Sequence, residues 1–364
     1  MNHVLILNPG SSSLKWSLLD AKTEGLVAGA DLPYAEVNAA DRGSLVTRAL
    51  DAAGEVAAVG FRAVHGGALF RGAVRVDAAM IARLATLGEL APLHNPVAVQ
   101  CMTAALEARP AALHIATFDT AFHRTMPDVA TTYAIPRDWT EKWNIRRYGF
   151  HGLSVSYAVQ QAARILGALP GRMVVCHLGA GCSITAVRAG KSIDTSMGFT
   201  PLDGVMMATR SGAVDPGMLL YLVRHGVEVE HFYDTLEHRS GMLGVSGVSS
   251  DIRNVMQAAA DGNTHAALAY DMFVYSVTRV IGAMVAVLGG IDALVFTGGV
   301  GEHQPPLRKE VAGSLSFLGI ELDAQANERG AGDCQVATVN SRVHVLVIKS
   351  REDLSILREV KAFL

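Results

Sequence analysis

Apolar residues in this chain gather into short runs, separated by stretches with helical spacing. HVLILN (3–8) and LKWSLL (14–19) read as two strands around a loop of small residues. VAAVGFRAV (56–64) and ALHIATF (112–118) read as buried strands, and 78–89 and 95–108 between them have helical spacing. Residues 123–148, richer in Pro, Trp and charge, read as a crossover. After it, HGLSVSYAVQQAARILG is helical, RMVVCHLG is a buried strand and AGCSITAVRAGKSID is a second hairpin. IDALVFTGGVGE reads as a strand running into a glycine turn, VHVLVIK as a last strand and 350–363 as a last helix. The run 262–289 spaces Met, Val and Ala as a core helix or a dimer interface does.

Strands alternating with helices predict an α/β fold. The turns at Gly10 and Gly179 each join strand to strand through small residues, which suggests a duplicated unit. A length of 364 residues fits two domains. With half the residues hydrophobic and 18% charged the chain is globular, and a net charge of −3 gives no footprint for nucleic acid. The four cysteines form no C-x-x-C pair and read as reduced, inert thiols. The apolar run Val4 to Leu7 is too short for the core of a signal peptide. The run 280–291 is broken by Gly289 and Gly290 and stopped by Asp292. A cytoplasmic protein is expected, with neither nucleic acid nor membrane as a partner.

The chemistry gathers at strand ends. NPGSSSLK (8–15) is not a Walker A loop, yet its serines, backbone amides and Lys15 could cradle phosphate; a plain hairpin reads equally well. GFRAVHGG places Arg62 in the last turn of an apolar strand, where a charge needs a cleft or a partner. APLHNP puts His94 at a helix start, as a cap. TFDTAFH sets Asp119 just past a buried strand, the edge where open α/β sheets bind ligands. RRYGFHG adds His151, and the loop DTSMGFTPLDGVMMATRSG adds Arg210. Singly, each has a structural reading. Together, Lys15, Arg62, Arg210, His151, His177, Asp119 and Glu352 make the set that moves a phosphoryl group.

NPGSSSLK, RAVHGG, APLHNP, FDTAFH, RRYGFHG, CHLGAGCS, DTSMGFTPLDG, TRSGAVDPG, SGMLGVSGVSSDIR, ALVFTGGVGE and SRED stand in the order seen in acetate kinases, and the resemblance spans the chain. It implies two duplicated ribonuclease H-like α/β domains with a nucleotide cleft between them, the actin-like ATPase fold. The acceptor domain would comprise 1–122 plus 354–364, and a nucleotide-binding and dimerisation domain 123–353. It also implies a homodimer and reversible transfer between ATP and acetate, giving ADP and acetyl phosphate, with Mg2+ or Mn2+. Residue by residue, Arg62, Asp119, His151 and Arg210 resemble the catalytic set. Val64, Leu93, Phe150 and Pro201 resemble the acceptor's methyl pocket. Ser11, Ser13, Lys15, His177, Gly179 and Gly181 resemble phosphate loops, and Asp251, Ile252, Arg253, Gly299, Gly301 and Glu302 the nucleotide segments. Asn8 and Glu352 resemble the metal side.

A carboxylate acceptor is ionised at neutral pH and needs cations rather than a base, so Asp119 reads as an orienting group. Three departures stand out. Ala180 replaces the asparagine usual in HLGNG, and His303 stands where asparagine is common. The chain is also short for the family, with the loss expected in 20–55 and 320–342. A kinase for propionate or another short acid is the alternative; a sugar kinase or an Hsp70-like nucleotide module fits less well.

Overall fold

The computed structural model describes residues 2–10, 13–34, 37–38, 41–330 and 332–364. The chain divides into two compact units. Unit 1 comprises Met1–Arg124, Phe150–Tyr157 and Arg351–Leu364, and unit 2 comprises Thr125–Gly149 and Ala158–Ser350.

Unit 1 holds β1 (His3–Pro9), β2 (Ser13–Asp20), β3 (Leu26–Pro33), β4 (Ala58–Ala63), β5 (Val74–Arg75) and β6 (Leu113–Phe118), in the sheet order β3-β2-β1-β4-β6-β5. Strands β1, β4 and β6 are parallel; β2, β3 and β5 run against their neighbours. Val4 to Leu7 are buried on both faces, which is why β1 reads as an unbroken apolar run. Helices Arg42–Ala53 and Asn95–Ala108 supply Leu45, Ala49, Met102 and Ala105 to a core with Leu5, Phe61 and Phe118. Helix Glu352–Lys361 packs Ile356 and Val360 against Gly60 of β4 so closely that a Cβ there would collide with both.

Unit 2 holds β7 (Arg172–Leu178), β8 (Cys182–Arg188), β9 (Lys191–Thr195), β10 (Ala293–Thr297), β11 (Cys334–Gln335) and β12 (His344–Val347), ordered β11-β12-β10-β7-β8-β9. Counted from the hairpin end, β9-β8-β7-β10-β12-β11 repeats β3-β2-β1-β4-β6-β5, with the same parallel and antiparallel senses. The echo heard in the two turns is therefore a whole-sheet duplication.

Helix Thr264–Leu288 is long and apolar enough to cross a bilayer. In unit 2 it buries Phe273, Val277, Ile281, Met284 and Leu288 against β8 and the helices Gly241–Ser246 and Ile252–Ala260. Asn263 caps its start by accepting from the Ala266 amide, and Gly289, at φ +71°, ends it.

Some expectations are corrected. His94 stands at the N-cap of Asn95–Ala108 but makes no side-chain cap bond. The glycines after β10 open a short helix, Gly298–His303, rather than a turn. The helical spacing over 78–89 resolves into helix Ala78–Ala85 and a 3-10 turn, Gly88–Leu90.

Candidate active site

At the outgoing ends of β1 and β4 and the incoming end of β2, unit 1 sets polar residues in a row. Asn8 faces Lys15 across the hairpin, and Leu7 pairs with Phe61, which brings Asn8 beside Arg62. Arg62 donates Nε to Asp119 Oδ1 at 3.0 Å and Nη2 to Asp119 Oδ2 at 2.6 Å. Its Nη1 donates to Asn8 Oδ1 at 3.2 Å and lies 3.4 Å from Glu352 Oε2. Asn8 Nδ2 donates to that same Glu352 oxygen at 2.9 Å. Sequence positions 8, 62, 119 and 352 thus meet in one network.

Burial pushes the Asp119 carboxyl above the usual range; the Arg62 guanidinium and the His151 amide pull back against it, while Glu352 adds to the rise. Desolvation also weighs against the Arg62 charge, but Asp119 and Glu352 more than offset it and the guanidinium is held more firmly charged than in water. Both Asp119 oxygens accept from Arg62, which is the hydrogen-bond pattern of an ionised carboxylate.

His151 has φ +58°, and the next residue is glycine for a steric reason: the Gly152 amide donates to the Asp119 carbonyl at 2.9 Å, and a Cβ at Gly152 would strike that oxygen. The backbone at 151–152 therefore steadies Asp119 directly. Val64 and Phe150 are buried and Leu93 is half-buried in the same unit, whereas Pro201 belongs to unit 2. The Asn95 side chain accepts from the His65 amide at 3.1 Å and donates to the His65 carbonyl at 2.9 Å, tying the segment after Val64 to the helix after Leu93.

Lys15 is exposed and 3.8 Å from the exposed Asp31, a pair of little energetic consequence. Ser13 starts β2, and its carbonyl accepts from the Gly10 amide at 2.9 Å. Ser11 lies outside the described residues.

In unit 2 His177 faces Ser183 across the second hairpin and Thr297 on β10. The turn closes by the Gly179 amide donating to the Gly181 carbonyl at 3.1 Å. The Ala180 carbonyl accepts from the Ala208 amide at 3.2 Å, fastening the turn to the loop that bears Arg210. Gly179, Ala180, Ala208, Met242, Asp251 and Ile252 help to line a mainly apolar cavity of about 290 Å³. Asp251 also caps helix Ile252–Ala260 through the Arg253 amide at 2.9 Å and pairs with the exposed Arg253 side chain. Gly301 is buried, Gly299 exposed, and Glu302 Oε1 accepts from the Ser350 amide at 2.8 Å.

Arg210 donates Nε to Glu237 Oε1 at 2.6 Å and Nη1 to the Pro201 carbonyl at 3.4 Å. No motif points to Glu237, which sits in an ordinary-looking amphipathic helix, Val229–His238. Glu359 was also missed, although its place two helical turns after Glu352 puts both on one helix face. Glu359 Oε2 is buried without a hydrogen-bond partner, and burial, with Asp119 nearby, pushes this carboxyl up to about 7 against the pull of Arg124.

Among the described residues no group of three or more His, Cys, Asp or Glu side chains is arranged to hold a metal. Glu352 and the Asn8 amide oxygen are nonetheless hard oxygen donors. They suit Mg2+, which takes one or two protein ligands and fills its shell with water and substrate phosphate. Cys101, Cys176 and Cys182 are buried, and burial pushes the Cys101 and Cys182 thiols up to about 12.

The repeated strand order defines the class of protein: two α/β units of the actin-like ATPase fold. The model of the Acetokinase family matches residues 36–358. The chain belongs to the Acetokinase family. It is 48% identical over 313 residues to the acetate kinase of Nostoc punctiforme, covering 85% of this chain and 77% of that protein. The crystal structure of Porphyromonas gingivalis acetate kinase superposes with a TM-score of 0.91 at 36% identity, covering 100% of this chain and 99% of that one. A propionate kinase from Francisella tularensis gives a TM-score of 0.91 at 36% identity, with 99% of each chain covered.

Proposed function

We propose that the chain is an acetate kinase, transferring the terminal phosphoryl group of ATP to acetate and back. The observation behind this reading is the network of Arg62, Asp119, Asn8 and Glu352, built from four distant parts of a chain of this family. An acetate oxygen attacks the terminal phosphorus in line, the bond from that phosphorus to the ADP oxygen breaks, and ADP leaves with its electron pair. Acetate is already ionised, so no group here need take a proton from it.

Each side chain then has a place. Arg62 and Arg210 hold the acceptor carboxylate and the phosphoryl group, Asp119 orients Arg62, and His151 steadies the transferring group. Asn8 and Glu352 would hold Mg2+, or Mn2+ in its stead, which when bound screens the phosphate charge. Unit 1 is read as the acceptor side. Unit 2 is read as the nucleotide side, where the cavity beside Gly179, Asp251 and Ile252 suits an adenosine. Exposed Leu220, Tyr221, Leu268 and Tyr275 suit burial in a homodimer, and a cytoplasmic location fits the cysteine usage.

Trapping an acyl phosphate as its hydroxamate, from acetate, ATP and Mg2+, tests the reading; an inactive protein would overturn it. A propionate kinase is the second reading, because the propionate kinase neighbour superposes as well as the acetate kinase one. Val64 narrows the expected methyl pocket and favours acetate. One methylene changes preference by only about 1–3 kcal/mol, so kcat/KM for the two acids must be compared directly. A ratio favouring propionate would move the assignment.

A further inference from the structure

Arg62 and Arg210 are held in different ways. Asp119 grips Arg62 side-on, using Nε and Nη2 together, while Asn8 and Glu352 occupy Nη1. Glu237 touches Arg210 on that same edge but through Nε alone. Among the described residues Nη2 of Arg210 has no acceptor, and Nη1 has only the 3.4 Å contact with Pro201. The guanidinium is thus anchored at its root with its outer amino groups unspent, the geometry that receives a two-oxygen anion.

The anchor is rigid. The Thr209 hydroxyl donates to the Glu237 carbonyl at 2.8 Å, and the Ser211 amide donates to the Leu236 carbonyl at 3.0 Å. Three consecutive residues of an irregular loop are therefore bound to the end of helix Val229–His238. The Ser240 amide returns to the Thr209 carbonyl at 2.9 Å. Gly241, at φ +59°, passes so close to the Met207 and Arg210 carbonyls that a Cβ would strike both. Glu237 is only 4% exposed, and a carboxylate so buried needs a counter-charge, which Arg210 supplies.

We propose that Glu237 is the positioning residue of Arg210, fixing its Nε so that the Nη groups stand ready for the carboxylate or phosphoryl oxygens of the reaction. The inference rests on the kinase reading above. Charge alone predicts the opposite effect: deleting a negative group beside a cation should tighten an anion. Positioning predicts that the loss loosens it, because a guanidinium free to swing misplaces its donors.

The experiment compares the parent with Glu237→Ala, Glu237→Gln, Arg210→Ala and the Glu237→Ala/Arg210→Ala double variant. Each is assayed for hydroxamate formation and for the Tm rise given by inorganic phosphate. Glu237→Ala is expected to lose about 10- to 100-fold in kcat with a raised KM for acetate. Glu237→Gln, which keeps an acceptor, should fall between, and its value decides if Glu237→Ala does not fold. In the Arg210→Ala background, Glu237→Ala should change kcat by less than about twofold, as expected of a residue acting through Arg210. An unchanged or raised kcat in both single variants, or a full independent loss in the double variant, would overturn the proposal. A parent inactive toward acetate sinks the kinase reading instead; Glu237 is then judged by whether its loss shrinks the phosphate-induced Tm rise, and an undiminished or absent rise sinks the positioning role too.

Discussion

Arg62 meets Asp119 through two parallel bonds of 3.0 and 2.6 Å, at a site where the Asp119 side chain is 1% exposed. Removing the arginine would strand a buried charge. Arg62→Ala is therefore expected to cost about 3–5 kcal/mol of stability as well as activity. Arg62→Ala/Asp119→Ala should recover part of that loss without recovering activity. Denaturant unfolding of the two variants measures it, and a single variant within about 1 kcal/mol of the parent would contradict the argument.

His151 combines a left-handed backbone with a side chain that the proposed function gives to the transferring group. The two contributions separate by choice of substitution. His151→Gly should be more stable than His151→Ala by about 1 kcal/mol, since only glycine adopts this φ without strain. Turnover should fall in both, because neither has an imidazole. Equal stability would place no strain at 151; undiminished turnover would remove the ring from the chemistry.

Glu359 titrates near neutrality in the fold, about 7 against an ordinary 4.5. Its protonated form suits the buried site, so its stabilising contribution is complete below pH 4.5 and is lost as pH rises through 7. Glu359→Gln keeps a neutral side chain at every pH. It should leave stability little changed at pH 5 and raise it at pH 8 by an amount on the order of 3 kcal/mol. Unfolding curves at the two pH values test the sign; a variant weaker than the parent at pH 8 would refute it.

Ala180 is exposed on the wall of the cavity, with its carbonyl already engaged by the Ala208 amide. On the proposed function an asparagine side chain there would add a donor beside the phosphates. Ala180→Asn is expected to raise kcat. A fall, or no change, would show that the backbone amides of the turn suffice.

The apolar runs made β1, β4, β6, β7, β8, β10 and β12 legible, because central strands buried on both faces leave an unbroken hydrophobic signature, and β2 and β9 were legible as the return strands of hairpins with small-residue turns. Strand β3 was not read, since its largely exposed edge position gives Leu26–Pro33 no such signature, and β5 and β11 are only two residues long. The helices from Pro216 to Ala260 were missed too; the first two bury little, so their apolar residues do not mark a core face. At the site, sequence order suggested which types of residue matter but not which grip which. Nothing in the spacing of 62, 119 and 352 says that one guanidinium is shared by two carboxylates. Nor could Glu237 have been found, because its significance comes from tertiary contact with a loop 27 positions away.

The whole-sheet duplication has a consequence for how this chain divides labour. Matching positions at the ends of the two hairpins hold Lys15, Asn8 and Arg62 in one copy, but Ser183, His177 and Thr297 in the other. One architecture thus sets the same shelf twice, furnished once with charge and once with hydroxyls and an imidazole. On the proposed assignment of units, neither copy has to compromise between gripping an anion and admitting a nucleotide, so each shelf can be altered by mutation without re-inventing the scaffold beneath it.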